Sequence, residues 1–326
     1  MACVFAVWAS GMLACGQGRL SARLQPPRGD FLIIGHRGAP HLACENTIES
    51  FVHALRLGAN ALELDLSMTL DGQVVLWHDW EGYSITSDVR PVGACSIVRP
   101  LLRRPVHAMP LLEFARDYGY EQDGQRVPVT TFGAFVRSFA KDRRARFFFL
   151  DVKIPADLPD QVQPMFRHAV QTLRRYGALR KAVFLTPYQS IFYQLHDEAQ
   201  RWQHATGERV EVALDVEGPQ IVRLTEWPSA IRRNQVADAR FAFWGEPLVT
   251  VQSWQDYLLQ ELRQRDTVNT TRPPEARLRF IVWTINDQDV LCTLVGLGVD
   301  GIMTDEPDRL RAIVQSWDRP GSCRSH

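Results

Sequence analysis

Several things are scarce in this 326-residue chain, and each scarcity removes a class of explanation. Charge of one sign is missing: 37 basic and 37 acidic side chains balance to a net charge of zero. That leaves no electrostatic footprint for a nucleic-acid partner. Lysine is nearly absent, with three against 34 arginines, so Lys153, two residues after Asp151, stands out. The six cysteines, at 3, 15, 44, 95, 292 and 323, contain no CxxC pair, which excludes a zinc ribbon. Cys44, Cys95 and Cys292 read as unbridged, buried small hydrophobes. What remains is ordinary globular material, 45% hydrophobic and 23% charged. Its length suits one large α/β barrel or two ordinary domains.

Long apolar runs are scarce too. The first 15 residues, MACVFAVWASGMLAC, are uncharged but too short to span a bilayer as a mature helix. They have the length of a signal-peptide apolar region, and MLACG resembles a lipoprotein processing site at Cys15. The segment lacks a basic leader, since Arg19 and Arg23 lie on its C-terminal side. The expectation is an exported protein (periplasmic, secreted or lipid-anchored) with possible membrane association through the N-terminus. The alternative is an apolar segment packed on a cytoplasmic fold. Residues 1–30 thus read as a signal- or anchor-like segment and a linker.

From residue 31 onward, strand-like and helix-like segments alternate. FLIIG (31–35) is a short buried strand. NTIESFVHALRLG (46–58) is a helix, with Asn46 and Glu49 at capping-box spacing and Gly58 as its stop. NALELDLSM (60–68) alternates as a strand, and GQVVLWHD (72–79) is the third. Residues 80–128 are poorly patterned and too long for an ordinary connection, so they read as an insertion forming a small lobe. RARFFFLDVK (144–153) is the fourth strand, and KAVFLT, RVEVALDV, LRFIVWTI and VDGIMTD follow, separated by helices. No register is assigned over 218–250. Eight alternating strands predict a closed TM-free α/β fold, the TIM (β/α)8 barrel, over 31–320 with an insertion after the third strand. A doubly wound open sheet is the runner-up, but the first turn, GHRGAP, is not a dinucleotide fingerprint.

In such a barrel the active site lies at the C-terminal strand ends, and polar residues gather there. His36 and Arg37 end the first strand, His78 and Asp79 the third, Asp151 and Lys153 the fourth, Trp283 and Asn286 the seventh, Asp305 the eighth. In LELDL, Glu63 and Asp65 share one face of a strand, about 6.6 Å apart at Cα. Two inward acids need a cation or a basic partner; a hard divalent cation fits, with Asp151 completing its ligands. A plain internal ion pair is the bland reading of Asp151 and Lys153. Taken singly, each histidine would be a structural one; paired at one rim they suit general acid and base work. Arg37 offers a planar fork for phosphate. Together these groups describe a phosphate-ester site better than a glycosidase, which needs two carboxylates and no basic groups.

The run GHRGAPHLACENTIESFVHALRLGANALELDLSMTLDGQVVLWHD resembles the glycerophosphodiester phosphodiesterases. Their His-Arg-Gly start, Glu-Asn-Thr, Glu-x-Asp strand, Thr-x-Asp-Gly turn and His-Asp all appear in order. DVK (151–153), VWTIN (282–286) and GVDGIMTDEP (298–307) resemble the family's later strands. The resemblance implies a TIM barrel, a divalent cation (Mg2+ or Ca2+) and hydrolysis of a glycerophosphodiester to sn-glycerol 3-phosphate and an alcohol. It implies His36 and His78 as the acid–base pair and Glu63, Asp65, Asp151 and Glu45 around the metal. Arg37, Lys153 and Trp283 are the expected substrate contacts. Asp151 stands where the family often has Glu, and Cys44 where it usually has Pro. An alternative on the same barrel is lysophospholipid cleavage of phospholipase D type, with the insertion supplying an apolar groove. A catalytically inactive binding module is a third reading, though it would need neither both histidines nor both acids.

Overall fold

The computed structural model describes residues 29–79, 93, 95–216, 229–235, 240–245, 254–317 and 323. The apolar N-terminal segment, most of its linker, residues 80–92 and parts of 218–250 lie outside them. Along the chain run β1 (Leu32–Gly35), α1 (Ile48–Leu57), β2 (Ala61–Met68), β3 (Val74–Leu76), β4 (Ser96–Val98), α2 (Leu111–Asp117), β5 (Gly119–Gln122) and β6 (Gln125–Val127). Then follow α3 (Phe132–Phe139), β7 (Phe147–Val152), α4 (Val162–Arg175), β8 (Ala182–Thr186), α5 (Gln189–Thr206), β9 (Glu211–Val216) and α6 (Ala230–Gln235). The last are β10 (Phe241–Gly245), α7 (Trp254–Asn269), β11 (Arg279–Trp283), α8 (Gln288–Leu297), β12 (Gly301–Thr304) and α9 (Pro307–Ser316).

Eight parallel strands close a ring in the order β1-β12-β11-β10-β9-β8-β7-β2. Closure is made by β1, which pairs with β12 (Leu32↔Gly301) and with β2 (Ile34↔Ala61). The fold is therefore the TIM barrel, but its eight strands are not the expected eight. β3 runs antiparallel to β2, pairing Leu66 with Leu76, and stands outside the ring. The third place falls to β7, beside β2, and the count of eight is completed by β10, which pairs with β9 and β11 in the stretch left without register. The insertion thus leaves the chain after an antiparallel strand, between the second and third strands of the barrel.

Alternation along the strands makes two cores. Leu62, Leu64, Leu66, Phe148, Leu150 and Val152 face outward and pack with the helices. Phe149, Phe241, Phe243, Ile34, Ile281 and Met303 fill the barrel interior. Glu63, Asp65 and Asp151 share the inward parity of Ala61 and Phe149. Burying several phenylalanines below them contributes on the order of 2 kcal/mol each, which offsets the cost of a polar layer at one end.

The insertion carries a three-stranded antiparallel sheet, β4-β5-β6, with α2 beside it. Trp77, Phe114, Tyr118 and Tyr120 form its own aromatic core. A disulfide, Cys44–Cys95, ties it to the loop after β1, with Cα atoms 5.3 Å apart. A second, Cys292–Cys323, links α8 to the C-terminal segment across 5.4 Å. The expectation of unbridged cysteines is thereby overturned. The partners are 51 and 31 residues apart in sequence, and only the tertiary fold brings them together.

Candidate active site

The loop after β1 builds the first side of the site. Arg37 has φ 52° and Asn46 φ 58°, left-handed values that non-glycine residues rarely adopt. Gly38, at φ 102°, permits the turn between them; a Cβ there would lie 2.7 Å from Ser50 Cβ. The strained turn has two results. The Arg37 amide donates to Glu63 Oε2 at 3.0 Å, and the Asn46 amide donates to the Arg37 carbonyl at 2.9 Å. Asn46 is not the helix cap expected of it. Thr47 caps α1 by accepting from the Ser50 amide, which frees the Asn46 side chain to donate to Asp65 Oδ2 at 2.7 Å.

Strands β2 and β7 bring the acids together, since Asp65 and Asp151 are direct cross-strand partners. One oxygen from each of Glu63, Asp65 and Asp151 lies within 4.8 Å of the other two. Two cations partly neutralise them. The Arg37 guanidinium is 3.0 Å from Glu45 and 3.1 Å from Asp65, and the Lys153 ammonium is ion-paired with Asp151 and lies 3.2 Å from Asp65. Burial raises the Glu63 carboxyl well above its ordinary value, and Asp65 and Asp151 push it further. Burial also raises Asp151 more than Lys153 lowers it. Asp65 is held low because Arg37 and Lys153 outweigh its burial. Among the described residues, Asp151 Oδ1 is buried without a hydrogen-bond partner, and buried Asp65 Oδ1 has only the Lys153 ammonium beside it. Three clustered carboxylates, with oxygens not used up by hydrogen bonds, are a donor set that fits a hard divalent cation. Asp151 reaches the cluster even though it is the shorter acid.

The two histidines stand at the same rim in the same posture. His36 Nδ1 lies 2.7 Å from Asp305 Oδ1, leaving Nε2 toward Glu63 at 4.0 Å. His78 Nδ1 lies 2.8 Å from Asp79 Oδ1. Asp305, as a carboxylate on Nδ1, fixes that nitrogen of His36 as the donor and presents Nε2 to the cleft; Asp79 does the same for His78 once it is ionised. Burial, then the charges of Arg37 and Lys153, pull His78 well below its ordinary value despite Asp65. Burial raises Asp79 to about 7; Arg37 opposes this, while Glu45 and Asp65 add to it. Burial would raise Asp305 as well, but its bond to His36 and that of Asn286 hold it low.

Every sequence-predicted site residue except one belongs to this network or touches it. Glu45 binds Arg37 and makes no part of the three-acid cluster. Trp283 ends β11 against the barrel-interior core, and its indole Nε1 has no hydrogen-bond partner among the described residues. Asn46, Asp79, Asn286 and Asp305 complete the network; the sequence reading puts the last three at strand ends without a role and takes Asn46 only as a helix cap. Asn286 accepts from Thr304 Oγ1 and from the Asp305 amide, both at 2.9 Å. Its signal was present in the strand-end motif VWTIN, beside GIMTDEP. From the lobe, Ile97 and Tyr120 close over Arg37, Glu45, Trp77, His78 and Asp79, leaving a seam too narrow for a water molecule.

The sequence profile of the glycerophosphoryl diester phosphodiesterase family matches residues 36–309. A glycerophosphodiester phosphodiesterase of Caldanaerobacter subterraneus subsp. tengcongensis is 24% identical over 285 residues, covering 87% of this chain and 98% of the relative. Lysophospholipase D GDPD1 of Homo sapiens is 21% identical over 308 residues, covering 87% of this chain and 86% of its own. Among solved structures, an Oleispira antarctica phosphodiesterase in complex with the product sn-glycerol-3-phosphate shares the fold, with a TM-score of 0.59 at 17% identity. That match covers 91% of this chain and 99% of the other.

Proposed function

The chain belongs to the glycerophosphoryl diester phosphodiesterase family, and from that premise we propose that it hydrolyses glycerophosphodiesters to sn-glycerol 3-phosphate and an alcohol. The observation that carries this reading is the meeting of two carboxylate-oriented imidazoles with a three-acid cluster at one barrel rim. Glu63, Asp65 and Asp151 would hold a divalent cation, Mg2+ or Ca2+. When bound, that cation supplies a positive charge to polarise a phosphoryl oxygen.

The chain's own groups do the rest. Arg37 is locked by Glu45 and Asp65, so its charge is fixed before substrate arrives and no reorganisation is needed. Lys153 adds a second positive charge beside the phosphoryl oxygens. One imidazole takes the proton of the attacking hydroxyl as its oxygen bonds to phosphorus. The other gives a proton to the alcohol oxygen as its bond to phosphorus breaks. Asp305, held ionised, orients the His36 ring through Nδ1. The attacker is water, or the glycerol 2-hydroxyl by way of a cyclic phosphate that water then opens; incorporation of solvent oxygen-18 separates the two.

The test is a panel of glycerophosphodiesters assayed with each cation. We expect EDTA to abolish turnover, and His36→Ala or His78→Ala to cost roughly 10²–10⁴-fold in kcat with the fold intact. Near-normal activity in either variant, or full activity in excess chelator, overturns the assignment. A second reading, lysophospholipid cleavage of phospholipase D type, is favoured by the exposed leucines of the lobe beside this rim. Comparing glycerophosphocholine with lysophosphatidylcholine decides between them. We further propose that the protein is exported, a reading supported by its two disulfides, which persist in oxidising compartments. Cell fractionation with non-reducing peptide mapping tests it; a cytosolic protein with four free thiols at these positions would sink it.

A further inference from the structure

A third histidine stands at the same rim. His41 lies in the turn after β1, between the left-handed residues Arg37 and Asn46. Its ring reaches the end of β12, where Nδ1 is 2.8 Å from the Asp305 carbonyl oxygen. A carbonyl oxygen can only accept, so Nδ1 carries a proton whether the ring is neutral or charged. That carbonyl has few other donors within reach. It precedes α9, whose first backbone bond runs from the Leu310 amide to the Glu306 carbonyl, and Pro307 has no N–H to offer. Asp305 is buried, where an unmet carbonyl is costly. The turn that carries His41 is itself held firmly. The Ala39 amide donates to Ser50 Oγ at 2.8 Å, and the Leu42 amide donates to the Ala39 carbonyl at 3.0 Å. From the lobe, Gln122 Nε2 donates to the Leu42 carbonyl at 3.2 Å. Gly93 lies so close to the turn that a Cβ there would stand 1.9 Å from the Pro40 carbonyl oxygen.

We propose that His41 is a positioning residue: through Nδ1–H it fixes the Asp305 backbone, and with it the carboxylate against which the His36 imidazole is set. The contacts are continuous. His41 holds the Asp305 carbonyl, and Asn286 accepts from the Asp305 amide at 2.9 Å. The two carboxylate oxygens of Asp305 meet His36 Nδ1 and Asn286 Nδ2. Asn286 grips Asp305 from the loop after β11, whereas His41 ties it to the loop that also carries His36, Arg37 and Glu45. Without that tie the β12–α9 turn can shift against the β1 loop. A displacement of about 1 Å from the productive geometry costs on the order of 10²-fold in rate; with the hold of Asn286 intact, a smaller loss follows. An ion pair is the competing role for His41. Its Nε2 lies 4.0 Å from Asp308 Oδ1, a side chain 53% exposed, and an exposed pair at that distance contributes little. The kinetic consequence rests on the phosphodiesterase reading above, but the setting of the His36 ring does not, since it is read without substrate.

The experiment labels the histidines of the full chain with nitrogen-15. Long-range proton–nitrogen spectra in mildly alkaline buffer, without substrate, read which nitrogen of His36 carries the proton; the His36 signals are those missing from His36→Ala. Turnover of glycerophosphocholine is measured beside them. In the native protein we expect the Nδ1–H tautomer of His36. In His41→Ala the two tautomers should mix, and kcat should fall about 10-fold with KM within about 2-fold. His41→Asn places an amide donor where Nδ1 stands, and should restore both the tautomer and kcat. Asp308→Asn should change neither. Native His36 signals in His41→Ala, whatever its kcat, overturn the proposal. So does a His41→Asn variant as impaired as His41→Ala, and so does an Asp308→Asn variant that reproduces the loss. If His41→Ala does not fold, His41→Leu, which fills more of the space without a donor, is judged by the same criteria; if neither folds, His41 is structural and the proposal falls. Absence of turnover by the native protein on every diester would sink the phosphodiesterase reading alone, leaving the His36 spectra to decide on His41.

Discussion

Asp305 shows how much of the site depends on groups that touch no substrate. It accepts from His36 on one oxygen and from Asn286 on the other, so it sets both the tautomer and the orientation of the imidazole. Asp305→Asn should lower kcat by about 10²-fold with KM little changed, and should shift the pH profile of turnover; loss of folding instead would make Asp305 structural. The acids give a second prediction at this scale. Without a cation, the raised Glu63 and Asp151 carboxyls hold their protons to a higher pH than the same groups in an unfolded chain. The stability they contribute is therefore present in acid and lost as pH rises through their folded values. A bound cation needs them ionised. Its binding should release protons, and its affinity should rise with pH above the ordinary carboxyl range. Titration calorimetry in two buffers of different ionisation enthalpy checks this, and binding without proton release would contradict it.

At the scale of elements, legibility follows from how local the cause is. Glu63 and Asp65 were placed correctly because strand alternation is local: Leu62, Leu64 and Leu66 on one face require the acids on the other. Helix α1 was legible from its periodicity and Gly58, but its cap was misread. Asn46 and Thr47 are both competent caps, and only the need of Asp65 for a donor gives the cap to Thr47. Strand β3 was placed in the barrel because Val74–Leu76 is apolar either way, and pairing direction leaves no mark on three residues. Strand β10 escaped because a buried five-residue strand has no alternation to read. The disulfides escaped because their closeness is tertiary. Cys44–Cys95 carries its own prediction, since it joins the lobe to the loop bearing Glu45. Replacing both cysteines with serine should cost about 2–4 kcal/mol of stability, read as the urea midpoint. It should also weaken cation binding about 10-fold by loosening Glu45 and hence Arg37. Weaker stability with unchanged cation affinity would mean that the bridge only shortens the unfolded chain.

Across the whole molecule, the barrel separates what holds it together from what it does. The acids, histidines and lobe lie at the C-terminal end of the strands, while the opposite end is closed by phenylalanines. Phe241 opens β10 with its ring 5.1 Å from Phe147 and 5.3 Å from Phe149, edge to face in both cases. Arg279 sits over the Phe241 and Phe147 rings at 5.9 and 6.0 Å. Phe149 forms the layer between this plug and the acids, because Asp151 lies two residues further along the same inward face. Truncating Phe241 should therefore leave a void that Phe149 shields from the site. Phe241→Ala should cost about 3–5 kcal/mol, seen as a lower denaturant midpoint at unchanged slope. Well below its melting transition, the variant should keep kcat and cation affinity within a few-fold of the native values. A collapse of cation affinity in a variant that is still folded would show that the plug, and not the hydrogen-bonded rim alone, sets the spacing of Glu63, Asp65 and Asp151.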